Sequence, residues 1–266
     1  MTSPTVADDG TADHRAWVEQ IMGMPMSIHV RGPGARSTGT DAVVAQVFDE
    51  LRAADAMFSR WKPSSQLSRL QRGELTPAEA DPLVREVLRL CGAARIRTDG
   101  WFDAWNAVPG RPGVFDPTGL VKTWAVARAA RPLRELAARA GIGYAVGAGG
   151  DVLTRPGADG APWMVGIEDP RERSRVLATL PAGDGGVATS GIAIRGAHIL
   201  DPRTGEPAVG VLSATVAGPS LMWADVFATA AVAMGPVAVE WVAGLHGTSG
   251  LIVLADDTVH RWSNPV

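Results

Sequence analysis

A single charged side chain lies in a long apolar stretch towards the C-terminal end of the sequence. The stretch SLMWADVFATAAVAMG spans residues 220–235, and Asp225 is its charged residue. Asp225 and Thr229 are four residues apart, so they share one face of a helix. An ionised carboxylate on a buried helix is costly unless its charge is compensated, and a carboxylate with a hydroxyl offers the hard oxygen ligands that Mg²⁺ prefers. The other interpretation is an aspartate near the helix N-terminus that faces solvent or interacts with the helix dipole.

A second candidate is the segment DPTGLVK, residues 116–122, which precedes a predicted helix. Asp116 and Thr118 are residue types that cap helices, and Gly119 permits a ligand to approach the backbone closely. The exposed N–H groups at the start of a helix favour phosphate. Simple capping explains the same residues, and Lys122 is either a site residue or a solvated surface charge.

The segment GAGGDV, residues 147–152, superficially resembles a dinucleotide-binding loop. The residues that follow it, LTRPG, are typical of strand and turn rather than of a helix, so this hypothesis fails its structural context. A tight turn that brings the backbone close to another group stays open. His198 lies in the short apolar segment HILD, where a lone histidine is more often structural than catalytic.

The aromatic residues are unusual, with nine tryptophans and one tyrosine. Trp61, Trp101 and Trp105 lie in loop-like stretches, where an indole ring can stack on a planar ligand, although most tryptophans simply pack. Cys91 lies in the apolar stretch LVREVLRLCG, which favours a buried small apolar residue over a nucleophile. As the sole cysteine of the sequence, it has no intrachain disulfide partner.

The composition is that of an ordinary globular protein. The 266 residues carry a formal net charge of −3, which gives no reason to expect nucleic acid or an anionic membrane as a partner. We recognise no segment long and apolar enough to span a bilayer. The polar N-terminus shows no secretory signal, so we expect a cytoplasmic protein. We predict that residues 1–17 are disordered and that residues 18–266 form a single domain.

The order of predicted elements favours an α+β fold with a mainly antiparallel sheet. The first helix is predicted to follow Asp41, which would be its cap. A second helix is predicted from Asp81 to Arg97, and a third from about Leu120 to Ala140 with a kink near Pro132. The segment FSRWKPSSQLSRLQRG is predicted to be a loop or a short helix. The predicted strands are MPMSIHV, YAVGAG, DVLTR, WMVGIE, RVLATL, GVATSG, HILD, LSATVAG and LIVLA. Two further helices are predicted, one around Asp225 and one over residues 236–245.

These segments, taken in order, resemble one known family. They are MGMP, FSRWKPSSQLSRL, TDGWFDAW, DPTGLVKTWAV, GAGGDV, WMVGIEDP, VATSG, HILDPRTGEP and ADVFATA. The series is similar to the ApbE family, the FAD:protein FMN transferases, over about residues 20–255. The resemblance implies a fold of two intertwined subdomains and an enzyme that uses FAD and Mg²⁺. It also implies that FMN is joined by a phosphoester bond to a Ser or Thr of a partner flavoprotein, with release of AMP.

The resemblance also implies roles for individual residues. The implied metal ligands are Asp225, Thr229 and the loop near Gly119, and His198 is the implied base that activates the acceptor hydroxyl. The residues implied to surround the flavin or the adenine nucleotide are Met22, Trp61, Trp101, Phe102, Asp103, Asp116, Lys122 and Ile199. The family's acceptor motif runs roughly Asp-x-x-Ser/Thr-Gly-Ala-Ser/Thr. We find no such segment here, so the implied acceptor is another protein.

The sequence departs from the family pattern at three places. Gly147 stands where the family often has Asn before Gly-Gly-Asp, and Thr123 follows the lysine where Gly is usual. After ATSG, residues 192–194 intervene before Arg195. Two other functions stay open: a Mg²⁺-dependent pyrophosphatase that converts FAD to FMN and AMP, and a flavin-binding protein without turnover.

Overall fold

The computed structural model describes residues 13–172, 174–191 and 199–264. Within these ranges the chain forms ten strands and seven α-helices. The strands are β1 (His14–Ile21), β2 (Met24–Arg31), β3 (Gly143–Ala148), β4 (Asp151–Arg155), β5 (Trp163–Glu168), β6 (Val176–Ala182), β7 (Gly185–Gly191), β8 (Val211–Gly218), β9 (Thr248–Leu254) and β10 (Val259–Asn264). The helices are α1 (Thr38–Phe58), α2 (Gln66–Gln71), α3 (Pro82–Arg97), α4 (Thr118–Ala129), α5 (Arg131–Ala140), α6 (Leu221–Met234) and α7 (Ala238–Val242).

One large sheet organises the molecule. In the described part of the chain its eight strands follow the order β1-β2-β3-β4-β7-β8-β9-β10, and β5 and β6 form a separate pair. Every strand pairing observed is antiparallel. The predicted α+β class with a mainly antiparallel sheet is therefore confirmed. Between β4 and β7 the chain leaves the sheet to form the β5–β6 hairpin.

The helices cover one face of the large sheet. Helix α6 packs directly on β7 and β8, and α4 contacts α6 as well as β3 and β4. Helix α1 in turn contacts α4 and α5. Because α6 packs against both the sheet and α4, most of its side chains are buried, which accounts for its nearly uniform apolar composition.

The opposite face of the sheet is covered at one end by the β5–β6 hairpin. Successive side chains of a strand point to opposite faces, and β9 shows this alternation. Ile252 and Leu254 belong to the core on the helical side, while Leu251 and Val253 pack with Ile167 of β5 on the other side. The continuous apolar run of β9 therefore reflects burial on both faces.

Local signals placed several helices correctly. Helix α3 begins after Asp81, whose carboxylate accepts a hydrogen bond from the Leu83 N–H at 2.8 Å, as a helix cap does. Helix α1 differs from the prediction, because Ser37 is its cap and accepts from the Thr40 N–H at 3.2 Å. Asp41 lies in the first turn, where it pairs with Arg15 of β1.

Other element boundaries were predicted wrongly. The helix predicted from Leu120 to Ala140 is two helices, α4 and α5, because the chain turns at Ala130 and Pro132 lies in the first turn of α5. Strand β1 begins at His14, so residues 14–17 of the predicted disordered segment are paired with β2. The described part of HILD is not a strand, since Leu200 forms only an isolated bridge with Pro207. Strands β1 and β10 were not predicted.

The sequence prediction also missed one long apolar helical run. Among the described residues, Leu221–Val242 is long and apolar enough to cross a membrane by length and composition alone. This run contains α6, a 3-10 turn at Gly235–Val237 and α7. Its most apolar window is largely buried against the sheet and α4. Packing inside the protein is sufficient to explain this composition.

Gly186 permits the close approach of α6 to the sheet. A Cβ atom at Gly186 would lie 2.5 Å from the Cβ and 2.6 Å from the Cα of Leu221, the first residue of α6. Real Cβ atoms do not come this close to other heavy atoms, so any side chain here would displace the start of α6. The glycine thus helps to set the position of the helix that carries Asp225.

We expect Gly186→Ala to lower the free energy of unfolding by about 1–3 kcal/mol, the usual cost of overpacking a filled interior. Urea unfolding of the purified protein measures this change. Gly183→Ala is the matched control, because a Cβ at Gly183 has no heavy atom within 4 Å. Equal free energies of unfolding for the two variants would contradict this expectation, because they would show that α6 can move away from the new methyl group without loss of stability.

Candidate functional site

Asp225 lies in the second turn of α6 with its side chain buried. The helix begins at Ser220, whose hydroxyl accepts from the Trp223 N–H at 3.4 Å. Only 3 % of Asp225 is exposed to solvent. The carboxylate faces α4, where the Thr123 hydroxyl donates to Asp225 Oδ2 at 3.0 Å and Lys122 Nζ lies 3.6 Å from the same oxygen. The charge of Asp225 is therefore met by a lysine and a threonine of the neighbouring helix.

Lys122 also pairs with a second buried carboxylate. Its Nζ lies 2.5 Å from Asp151 Oδ2, and Asp151 is fully buried at the start of β4. The Thr189 N–H donates to Asp151 Oδ1 at 3.0 Å. Lys122 therefore joins β4 to α6 through two carboxylates. We call Lys122, Thr123, Asp151 and Asp225 the Lys122 cluster.

The GAGGDV segment makes the turn that places Asp151. Ala148 of β3 pairs with Asp151 of β4, so Gly149 and Gly150 are the two residues of a hairpin turn. Both have positive φ angles, 59° and 103°, which glycine adopts readily. The tight-turn interpretation of this segment is confirmed, and the turn positions Asp151 next to Lys122.

The Lys122 cluster holds two carboxylates against one ammonium group. Burial raises the pKa of Asp225 from 3.8 to about 7, and the positive charge of Lys122 opposes this rise. The nearby Asp151 carboxylate acts in the same direction as burial. An additional cation beside Asp225 would thus reduce a real electrostatic cost.

Thr229 lies one helical turn after Asp225. Its hydroxyl and that of Ser190, in the ATSG segment at the end of β7, are hydrogen-bonded at 2.9 Å. Thr229 is only partly buried, unlike Asp225. The pair Asp225 and Thr229 therefore presents a carboxylate and a hydroxyl on one face of α6, as the spacing predicted.

Gly119 lies in the first turn of α4, one turn before Thr123. Phe102 packs beside it, because a Cβ at Gly119 would be 3.4 Å from Phe102 Cε2. Asp116 is buried just before the helix. Its Oδ1 accepts from the Thr118 N–H at 3.0 Å and its Oδ2 accepts from Arg60 at 3.0 Å. Asp116 thus shapes the chain just before α4, but the cap position is Pro117 and no side chain among the described residues caps the helix, so the predicted capping by Asp116 or Thr118 was wrong.

The loop that contains Trp101 and Asp103 is held by its own hydrogen bonds. Asp103 is buried, and it accepts from the Trp105 N–H at 2.9 Å and from Asn106 Nδ2 at 2.8 Å. One face of the Trp101 ring is covered by the Arg203 guanidinium at 3.9 Å. Asp103 therefore holds the loop in shape, and one face of Trp101 is already occupied by Arg203.

The remaining predicted contacts have different environments. Trp61 is 81 % exposed, and Arg60 stacks on it at 4.9 Å. Met22 lies in the β1–β2 turn with a positive φ of 55°. Ile199 is buried and its carbonyl accepts from the Ala208 N–H at 2.9 Å. His198 lies outside the described residues.

The predicted metal ligands fit Mg²⁺ by their chemistry. The carboxylate of Asp225, the hydroxyl of Thr229 and the backbone of Gly119 are all oxygen donors, as Mg²⁺ requires. Among the described residues, no group of three His, Cys, Asp or Glu side chains is placed to hold a metal ion. A set with one carboxylate leaves positions for water or substrate oxygens, which is usual for Mg²⁺. The assignment of these ligands stays a prediction.

Sequence reasoning missed Asp151, Thr123 and Ser190 as members of this site. Asp151 was visible as the polar residue after a glycine pair, but its partner Lys122 is distant in the sequence. Thr123 was visible as a departure from the family pattern. Ser190 carries a hydroxyl in a small-residue strand, which is a weak signal by itself.

The family profile of ApbE matches residues 22–107 and 109–252. The chain belongs to the ApbE family. No curated protein sequence matches it. Three solved structures with ApbE in their descriptions share its fold at 22 % identity. The first is the ApbE protein of Thermotoga maritima, with a TM-score of 0.80 over 93 % of this chain and 96 % of that chain. The second is the flavin transferase ApbE of Vibrio cholerae, with a TM-score of 0.76 over 95 % of this chain and 97 % of that chain. The third is the flavinyl transferase ApbE of Pseudomonas stutzeri, with a TM-score of 0.73 over 94 % of this chain and 94 % of that chain.

For this ApbE-family protein we expect Asp225→Asn to become relatively more stable as pH rises. A carboxylate whose pKa is raised by folding stabilises the fold below pH 3.8 and loses this contribution as pH rises towards about 7. Asparagine does not titrate, so the melting temperature of the variant minus that of the wild type should increase over this range. The measurement is thermal melting at several pH values in EDTA.

Asp184→Asn is the control for this experiment, since it changes a half-exposed aspartate that pairs with Arg155. A difference in melting temperature between Asp225→Asn and wild type that stays constant with pH would contradict the raised pKa of Asp225.

Proposed function

We propose that this chain is a Mg²⁺-dependent transferase that cleaves FAD and attaches FMN to a Ser or Thr of a partner flavoprotein, with release of AMP. Membership of the ApbE family supports this proposal, as do two of the similar structures, whose names are flavin or flavinyl transferase. The observation that supports it best is the Lys122 cluster, in which a lysine and a threonine of α4 contact the buried carboxylate of Asp225, one helical turn before Thr229.

The proposed reaction transfers a phosphoryl group between two oxygens. The acceptor hydroxyl oxygen forms a bond to the phosphorus on the FMN side of the FAD pyrophosphate. The bond from that phosphorus to the bridging oxygen breaks, AMP leaves with that oxygen, and the hydroxyl proton passes to a base. Such reactions depend mainly on positioning and on neutralisation of charge.

The residues of the site have distinct proposed tasks. Asp225, Thr229 and the backbone of Gly119 would hold Mg²⁺, which when bound neutralises charge on the pyrophosphate. Lys122 keeps a positive charge next to Asp225, and Asp151 fixes that charge in position. Ser190 holds the Thr229 hydroxyl through the hydrogen bond between the two side chains.

The nucleotide contacts are proposed for the surface formed by the loops before α2 and α4. The exposed ring of Trp61 is available for stacking on a planar ring. Phe102 lines the approach to Gly119. Trp101 offers the face that Arg203 leaves open, and Asp103 and Asp116 support the loops rather than presenting free carboxylates.

The decisive experiment is incubation of the protein with FAD, Mg²⁺ and a peptide that carries the acceptor motif, followed by intact mass measurement. We expect the peptide to gain one FMN group and AMP to appear in equal amount. FMN and AMP without a peptide adduct would instead identify an FAD pyrophosphatase. FAD binding without any product would identify a flavin-binding protein. Reactions with EDTA in place of Mg²⁺ are the control.

We expect Asp225→Asn to raise the Mg²⁺ concentration required for FAD turnover by more than about tenfold, because it removes a charged ligand. Thr229→Ala should raise it less, since a neutral hydroxyl contributes less than a carboxylate. A Mg²⁺ titration of AMP release measures both effects. Asp184→Asn, at a half-exposed ion pair, is the control. An unchanged Mg²⁺ requirement in Asp225→Asn would contradict the proposed metal site.

We expect His198→Ala to slow FMN transfer by roughly a hundredfold or more, the usual effect of losing a general base. FAD binding should stay nearly unchanged, because the proposed role concerns the acceptor proton. The measurements are an FAD titration and the rate of peptide modification. His246→Ala is the control, since that histidine lies in the turn before β9. Transfer at the wild-type rate by His198→Ala would exclude it as the base.

A further inference from the structure

Thr123 makes a contact that the family pattern does not provide. The resembled motif usually has glycine after the lysine, whereas this chain has a threonine that is fully buried. Its Oγ1 lies 3.0 Å from Asp225 Oδ2 and 3.2 Å from the carbonyl oxygen of Leu120. The hydroxyl has one proton, so it donates to one of these two acceptors at a time.

The geometry favours donation to Asp225. A hydrogen bond to an ionised carboxylate is stronger than one to a neutral carbonyl, and here it is also the shorter of the two. The Leu120 carbonyl belongs to the first turns of α4, where helical N–H groups are its ordinary partners. A buried carboxylate, in contrast, needs every donor that it can reach.

The Thr123 hydroxyl also determines how closely Asp225 pairs with Lys122, which is also the partner of Asp151. Both Thr123 Oγ1 and Lys122 Nζ approach Asp225 at Oδ2, and among the described residues no hydrogen bond to Oδ1 is observed. Lys122 lies 2.5 Å from Asp151 but 3.6 Å from Asp225. The threonine thus adds a short hydrogen bond to a carboxylate whose ion pair with Lys122 is longer than that of Asp151.

We propose that Thr123 is a positioning residue for Asp225. Its hydrogen bond to Oδ2 keeps the carboxylate from forming a close ion pair with Lys122, so that Oδ1 can bind a divalent cation. This inference rests on the proposed function, because it takes Asp225 to be a metal ligand. Loss of the hydroxyl would let the carboxylate turn towards Lys122, and the two charges would then neutralise each other. A cation would have to break that pair before binding.

The test compares Thr123→Val, which removes the hydroxyl at nearly constant shape, with Thr123→Ser, which keeps it. Mn²⁺ serves as the probe, titrated without FAD and followed by electron paramagnetic resonance of the free ion. Loss of a group that orients a metal ligand typically weakens affinity by ten- to a hundredfold, so we expect Thr123→Val to bind Mn²⁺ roughly tenfold more weakly. Thr123→Ser should recover most of the affinity.

Asp225→Asn is titrated in parallel as the reference for a lost ligand. Weaker binding by Asp225→Asn together with wild-type affinity in Thr123→Val would overturn the role of Thr123 and leave the proposed function intact. Identical Mn²⁺ binding by wild type and Asp225→Asn would overturn both. Equal losses in the Val and Ser variants would assign the effect to packing rather than to the hydroxyl, which also contradicts the proposal.

Folding is checked by thermal melting of each variant in EDTA. If Thr123→Val does not fold, Thr123→Ala removes the same hydroxyl with less bulk and takes its place in the titration. Steady-state kinetics with FAD provide a second readout. We expect the hydroxyl-free variant to recover turnover at high Mg²⁺, whereas a persistent loss at saturating metal would contradict a role confined to the metal ligand.

Discussion

The ion pairs of Lys122 with Asp151 and Asp225 join three elements of the fold. Lys122 belongs to α4, Asp151 opens β4, and Asp225 lies inside α6. Removing one partner of a close buried ion pair, such as Lys122 with Asp151, costs about 3–5 kcal/mol, because the remaining charge stays buried without compensation. The relative positions of α4, α6 and the sheet are therefore fixed by the same charges that form the candidate site. The glycine turn before Asp151 and the close approach at Gly186 serve this arrangement.

The apolar composition of α6 follows from its packing against both the sheet and α4. Such a helix has almost no solvent-facing side, so any charge on it must be compensated by another residue or by a ligand. This is why Asp225 was informative in the sequence alone. The same reasoning explains why the helical run from Leu221 is apolar enough to resemble a membrane span while packing inside the protein.

Helices and turns with strong local sequence signals were predictable, whereas the strands at the two edges of the sheet were not. Asp81 before Pro82 is a clear start for α3, and a glycine pair between two apolar strands predicts a turn. Strands β1 and β10 lie at the two edges of the sheet, where most of their side chains are partly buried or exposed, so neither shows a distinct strand pattern. In the site, the cost of burying Asp225 was predictable from α6 alone. Its partners were not, because they come from distant segments that only the fold brings together.

Lys122 Nζ lies at different distances from the carboxylates of Asp151 and Asp225, which indicates that the two aspartates have different roles. Asp151 has the closer ion pair with Lys122, and its Oδ1 accepts a hydrogen bond from the Thr189 N–H. Asp225 has a longer contact with the lysine and one hydroxyl donor, and burial raises its pKa. With one ammonium between two carboxylates, the cluster can compensate only one negative charge fully. The lysine lies closer to Asp151, and under the proposed function Asp225, next to Thr229, is the carboxylate that would bind the cation.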